Sequence, residues 1–175
     1  KHQKRAGWAY GATLLFFIFH LTAFGANSKA PVGAANALDD QATELYDGGN
    51  CEEAIPLLSR LAIVGSDPTQ RGDAWFRLAS CHLRENQYNE AEAGFRAALE
   101  QDPKDTEAHF GLVQALSEQG RLEDATLALK KLKPLIKSND PDLLYWQKEL
   151  QDRSRHAFFY LSLAGLNDQS STWQD

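Results

Sequence analysis

Cys81 and His82 are adjacent, and this pair could bind a metal or haem or take part in nucleophilic catalysis. A c-type haem normally attaches at Cys-x-x-Cys-His, and Leu78 stands where the first cysteine would be. Zinc needs further ligands at fixed spacing, whereas His109 and His156 are distant in the sequence. Adjacent residues on a helix point about 100° apart, which disfavours a nucleophile and its base. The sequence therefore predicts no metal, cofactor or catalytic centre, with a redox or haem carrier as a distant alternative.

Composition disfavours two further classes of function. The 175 residues are 43% hydrophobic and 24% charged, as in an ordinary globular domain, and their net charge is −6. An acidic chain of this kind is not expected to bind nucleic acid. Neither a glycine-rich phosphate loop nor a carboxylate pair suited to acid–base chemistry is present, so we expect neither an enzyme nor a small-molecule substrate.

The N-terminal segment, residues 1–26, differs from the rest of the chain. Three basic residues lie within the first five positions, and residues 6–26 carry no charge apart from His20. Twenty-one helical residues would span about 31 Å, close to the thickness of a membrane core. The favoured interpretation is a single-pass signal anchor, and the alternative is a cleaved signal peptide. Both predict a cytoplasmic N-terminus and an extracytoplasmic (periplasmic) or secreted remainder. Residues 27–37 predict a flexible linker.

A period of 34 residues organises the next hundred positions. The positions of the middle unit that recur are Trp75, Leu78, Ala79, His82, Ala91, Phe95, Ala98 and Pro103. Adding 34 gives His109, Leu112, Val113, Leu116, Ala125, Leu129 and Leu132. An earlier unit fits Leu38, Ala42, Leu45, Gly49, Ala54, Leu58 and Leu61. This pattern resembles that of the tetratricopeptide repeat (TPR) family, Trp-x2-Leu-Gly-x2-Tyr followed by Ala-x3-Phe and Pro.

The resemblance implies an all-α TPR solenoid of paired helices, A and B, in each repeat. The repeats are expected at about 35–71, 72–105 and 106–139, with His82 in an aromatic slot that faces the interior. Small residues such as Ala79 and Ala91 would let helices cross closely. Asp140 and Pro141 predict the start of a C-terminal capping helix over 140–166, followed by a tail over 167–175.

The resemblance also implies a concave face, lined by the A helices, where TPR proteins usually bind peptides. The candidate groove residues are Tyr46, Phe76, Ser80, Leu83, Arg84, Phe110 and Gln114. Family members that grip chaperone carboxylates use Lys, Arg and Asn at such positions, and this chain does not. We expect instead an apolar or aromatic segment of another subunit, with a mildly basic flank. Phe158, Phe159 and Tyr160 could form a second contact or fill the groove themselves.

Stacking of such repeats would bring the two cysteines to the same end of neighbouring helices. Cys51 starts the first B helix, and Cys81 lies past the middle of the following A helix. An exported domain permits a disulfide between them, whereas two buried free thiols are the alternative.

We therefore expect a non-enzymatic, membrane-tethered scaffold or adaptor in a larger, bacterial membrane or envelope assembly. A secreted TPR module in an extracellular structure is the main alternative. Mitochondrial import receptors also place TPRs behind an N-terminal anchor, with the repeats in the cytosol.

Overall fold

Seven α-helices make up residues 32–170, the part of the chain that the computed structural model describes. They are α1 (Val32–Asp47), α2 (Cys51–Val64), α3 (Pro68–Arg84), α4 (Tyr88–Gln101), α5 (Thr106–Glu118), α6 (Leu122–Leu132) and α7 (Pro141–Ser170). A short 3₁₀ turn, Lys133–Leu135, follows α6. Each helix packs mainly against the next along the chain, and α1, α3, α5 and α7 also contact one another in sequence. This is the predicted all-α solenoid, with α1, α3 and α5 as A helices and α2, α4 and α6 as B helices.

The turn from each A helix to its B helix depends on a residue with positive φ. These residues are Gly49 (φ 77°), Asn86 (φ 59°) and Gly120 (φ 75°). The amide of the next residue donates to the carbonyl five positions back, at 2.8–3.0 Å. This hydrogen bond is the signature of the Schellman motif, which glycine and asparagine permit because they tolerate the left-handed conformation. The sequence thus specifies three reversals of chain direction.

The starts of the later A helices and of α7 also follow from the sequence. Asp67, Asp105 and Asp140 precede α3, α5 and α7, and each carboxylate accepts a hydrogen bond from an amide of the first helical turn at 2.9–3.1 Å. Pro68 and Pro141 occupy the first helical position, where no amide hydrogen is needed. The predicted start of the capping helix at Asp140 and Pro141 is confirmed.

Small residues lie where the helices cross. Five alanines that the repeat pattern singled out are fully buried: Ala42, Ala54, Ala79, Ala91 and Ala125. At one such crossing a Cβ added to Gly94 would come within 2.8 Å of the Cβ of Ala79. The larger residues Leu58, Phe95 and Leu132 are also buried and fill the space between the pairs.

Two element boundaries differ from the prediction. Helix α1 begins at Val32, inside the expected linker of residues 27–37, and Ala35 is fully buried. The small residues there act as packing residues and favour helix, so they do not form a flexible tether over 32–37. Helix α7 continues through Gly165 to Ser170, beyond the expected end at 166.

The predicted anchor or signal, residues 1–26, lies outside the described residues, as do 27–31 and 171–175. Among the helices of residues 32–170, none is both long and apolar enough to cross a membrane.

The capping role expected for α7 rests on two buried leucines. Leu143 and Leu150 are 2% and 3% exposed and belong to the same core cluster as Leu116 and Leu129. Further along, the Arg153 guanidinium donates to the carbonyl of Ser117 at 3.2 Å, at the end of α5. These contacts cover part of the last apolar face of the repeats, as a capping helix does.

Candidate functional site

A concavity of about 320 Å³ lies on the A-helix face, between α3, α5 and α7. It is lined by five of the predicted groove residues: Phe76, Ser80, Leu83, Phe110 and Gln114. All five are half-buried, so each presents part of its side chain to the solvent in the concavity. The 34-residue register therefore brings these residues together, because equivalent positions of successive A helices share one face.

The floor of the concavity is aromatic and held firmly in place. Phe95 reaches across from α4 and is 1% exposed, and its ring centroid lies 5.9 Å from that of Phe76 with the planes tilted by 59°. Gly111 makes room for this ring, since a Cβ at that position would overlap it. The sequence reasoning placed Phe95 in the core and did not find Gly111, although a glycine inside a helical pattern indicates close packing.

The concavity has few polar groups, and those that carry a charge are negative. Glu107 and Asp142 contribute carboxylates, and no Lys or Arg is among the residues that line it. The Ser80 hydroxyl donates to the Phe76 carbonyl at 2.9 Å and is thereby satisfied. The Gln114 amide has no hydrogen bond to any other residue of 32–170, so it is free to pair with the backbone of a bound segment.

Tyr46 and Arg84, also predicted for the groove, lie outside this lining. The Arg84 guanidinium sits over the Tyr46 ring, 4.6 Å from its centroid, and donates to the Tyr46 carbonyl at 3.4 Å. The pair joins the end of α1 to the end of α3. Since Arg84 is already engaged, the concavity lacks the basic side chain that the sequence suggested at this edge.

The two cysteines lie near this end of α3, with Cys81 in α3 and Cys51 at the start of α2. Cys51 and Cys81 are buried, their Cα atoms are 5.2 Å apart and their sulfur atoms lie within bonding distance. This Cα separation falls in the usual range for a disulfide. His82 is not the interior aromatic that the repeat pattern suggested. It is half-buried, and its Nδ1 lies 2.6 Å from the Oε1 of Gln87. The polar partner holds the imidazole at the surface of the turn.

Phe158, Phe159 and Tyr160 do not fill the concavity. They are 75%, 57% and 70% exposed and lie in the part of α7 beyond Arg153. The expectation that the chain's own aromatic residues cover its groove is therefore not met within the described residues.

The acidic residues of the B helices are partly organised by ion pairs. Glu92 accepts hydrogen bonds from Arg121 at 2.6 Å and Gln119 at 3.0 Å, and pairs with Arg96 at 2.9 Å. Burial raises the pKa of Glu92, but the hydrogen bonds from Gln119 and Arg96 and the charges of Arg121 and Arg96 outweigh it and lower the pKa overall. These contacts join α4 to the turn before α6, so Glu92 acts in repeat packing.

A stack of antiparallel helix pairs with a concave A-helix face defines the helical repeat proteins. Two family models, both described as tetratricopeptide repeat, match residues 40–106 and 85–145. Residues 40–145 therefore belong to the tetratricopeptide repeat family, and the TPR solenoid that the sequence predicted is confirmed.

Individual proteins are similar to this chain in sequence or in fold. Cellulose synthase operon protein C of Pseudomonas fluorescens (strain SBW25) is 30% identical over 117 residues, which cover 61% of this chain and 9% of that protein. The chain thus spans about a tenth of that relative's length. The Hsp90 co-chaperone Cns1 of Saccharomyces cerevisiae aligns with a TM-score of 0.72 at 18% identity, over 80% of this chain and 45% of that one. The second TPR domain of human RPAP3, in complex with the HSP70 peptide SGPTIEEVD, aligns with a TM-score of 0.60 at 19% identity, over 67% and 94%.

Proposed function

We propose that this protein is a non-enzymatic scaffold whose A-helix concavity binds an apolar or aromatic segment of another subunit in a larger membrane or envelope assembly. The observation that supports this most is the floor of half-buried Phe76, Phe110 and Leu83 over the fixed Phe95 ring. Half-exposed aromatic residues in a preformed concavity gain the most from desolvation by a partner, and the free Gln114 amide would orient its backbone.

The charge of the concavity narrows the partner further. Glu107 and Asp142 favour a segment whose apolar anchor is flanked by Lys or Arg. An acidic tail such as the EEVD end of the peptide bound to human RPAP3 would meet like charge here. We therefore propose a partner class different from the chaperone tails, although the fold is shared.

The location that we propose is extracytoplasmic, with residues 6–26 as the tether in the membrane. The support is the uncharged stretch of 21 residues behind a basic N-terminus. The secreted alternative has the same export route with cleavage after the apolar stretch. N-terminal sequencing of the native protein separates them, because a mature start between Ala26 and Leu38 would rule out the anchor.

We also propose that Cys51 and Cys81 form a disulfide in that compartment, in line with their separation and burial. The bridge would join α2 to α3 beside the Tyr46–Arg84 pair. It would thus stiffen the boundary between the first and second repeats. Its second cysteine lies in α3, the helix that also supplies Phe76.

The direct test is affinity capture from native membranes after mild extraction. The full chain should capture a defined partner, and the double variant Phe76→Ala/Phe110→Ala should lose at least about tenfold in recovery, as expected when two interface anchors are truncated. Phe159→Ala, which removes an exposed ring outside the concavity, is the matched control and should retain the partner. Full recovery with the double variant would place the binding site elsewhere on the chain.

A further inference from the structure

Helix α7 continues where every earlier A helix turns. The turn residues Gly49, Asn86 and Gly120 have positive φ, and a further step of 34 from Gly120 leads to Ser154. Ser154 is helical, and its hydroxyl donates to the Leu150 carbonyl at 2.7 Å. Without Gly or Asn at this position the reversal is unfavourable, so the helix extends to 30 residues. No B helix therefore folds back onto α7 within residues 141–170.

The consequence is an open slot between α6 and α7, of about 860 Å³. In the three preceding pairs, a B helix packs against its A helix at the corresponding place. The slot follows α7 from Gln147 to Phe158, a rise of about 16 Å, or three helical turns. Its dimensions therefore suit one helix lying along α7.

The chemistry of the slot is apolar below and basic at the rim. Phe158, which is 75% exposed, supplies most of the apolar surface, and the buried Leu129 and Leu150 form its base. Lys130, Lys133 and Arg155 supply the charges, and no Asp or Glu is among the lining residues. Arg155 also pairs with Asp152 at 3.5 Å, so the two lysines carry most of the positive charge of the rim. Such a surface is unusual in a chain of net charge −6.

Charge distinguishes between the possible occupants. The chain's own residues 1–31 contain six Lys, Arg and His residues and no acidic residue, so their charge has the same sign as that of the rim. The second half of α7 from another copy, residues 156–170, contains one histidine, His156, and one acidic residue, Asp168, so its net charge is close to zero. The first would be repelled by the rim and the second would gain little from it, whereas an acidic helix would be attracted.

We propose that this slot docks an amphipathic helix of a partner protein whose apolar stripe is flanked by Asp and Glu. The partner helix would lie where a fourth B helix would otherwise pack, with its apolar stripe on Leu129, Leu150 and Phe158. This surface shares no lining residue with the concavity on α3 and α5, so the two proposed binding sites can be tested independently.

The test uses the full chain with Phe158 replaced by the photo-crosslinker p-benzoyl-L-phenylalanine. Two synthetic 18-residue helices serve as probes: both have Leu at i, i+3, i+4 and i+7, with Glu flanks in one and Lys flanks in the other. We expect at least about tenfold more adduct with the Glu peptide, and a decrease as salt is raised. The same crosslinker at Phe159, one residue further around the helix, should give much less adduct.

Charge variants provide the second arm. The double variant Lys130→Glu/Lys133→Glu should reduce the yield of adduct with the Glu peptide at least about tenfold. The control Lys131→Glu/Lys148→Glu makes the same change in net charge at exposed positions outside the slot, and it should change the yield less than about twofold. Circular dichroism confirms that each variant is folded.

Four results would overturn the proposal. Equal adducts with both peptides, or none above the Phe159 control, would show that no acidic helix is selected. A crosslink within the chain to residues 1–31 would make the chain's own segment the occupant. A crosslinked dimer that forms without peptide would make it a second copy.

Discussion

The Cys51–Cys81 bridge gives a stability prediction whose size follows from the sequence separation. The bond would close a loop of 30 residues. In the chain-entropy model, the cross-link lowers the entropy of the unfolded chain by about 2.1 cal/mol/K plus 1.5R times the natural logarithm of the loop length. For this loop the loss of entropy stabilises the folded state by about 3.6 kcal/mol at 25 °C. Since small domains are stable by about 5–15 kcal/mol, a loss of this size would be a large part of the total.

The assay is equilibrium urea unfolding of the full chain, oxidised and then reduced. With a denaturant slope of about 1–3 kcal/mol/M, reduction should lower the midpoint by more than about 1 M. The variants Cys51→Ala, Cys81→Ala and the double variant should each lose a similar amount, because each breaks the same bond. The oxidised protein should also show no free thiol when it is unfolded without reductant.

Equal midpoints before and after reduction would show that no bridge stabilises the fold, and two reactive thiols in the unfolded, unreduced protein would show that none forms. Losses from the single variants that add up in the double variant would point to two independent buried thiols and not to a bridge.

Three further substitutions test the packing. Gly111→Ala should lower the free energy of unfolding by about 1–2 kcal/mol in urea, because overlap with the Phe95 ring outweighs the roughly 1 kcal/mol gained in helix propensity. Gly33→Ala is the control: no atom lies within 4 Å of the added Cβ, so this variant should not lose stability. Glu92→Gln should lower the free energy of unfolding by about 1–2 kcal/mol at pH 7. This difference between variant and wild type should disappear as the pH falls below the ordinary pKa of 4.5 and through the lowered pKa of Glu92 in the folded state, because protonation then removes the same stabilisation from the wild type. Arg153→Ala should speed amide exchange in α7 at least about tenfold and leave α3 and α4 unchanged.

The repeats could be predicted because their signal is redundant. The same slots recur three times with the right residue sizes, and Asp140 with Pro141 marks the next helix start without any tertiary information. The start of α1 could not be predicted in this way. Small residues indicate either a tether or a close helix contact, and only packing decides between them, as the buried Ala35 shows.

The candidate groove was predictable in part for the same reason. Phe76 and Phe110 share one face because they are 34 residues apart, whereas the charge of the concavity depends on Glu107 and Asp142, which belong to the starts of two different helices. Arg84 shows a second limit. Its position in the register is that of a groove residue, but the nearby Tyr46 ring and carbonyl engage its guanidinium.

Amide hydrogen exchange of the full chain, alone and in complex with the captured partner, tests the proposed binding face most directly. We expect slower exchange on binding in α3 around Phe76 and in α5 around Phe110, with α2 and the outer turns of α4 unchanged. Protection confined to the B helices, with α3 and α5 exchanging as in the free protein, would contradict it.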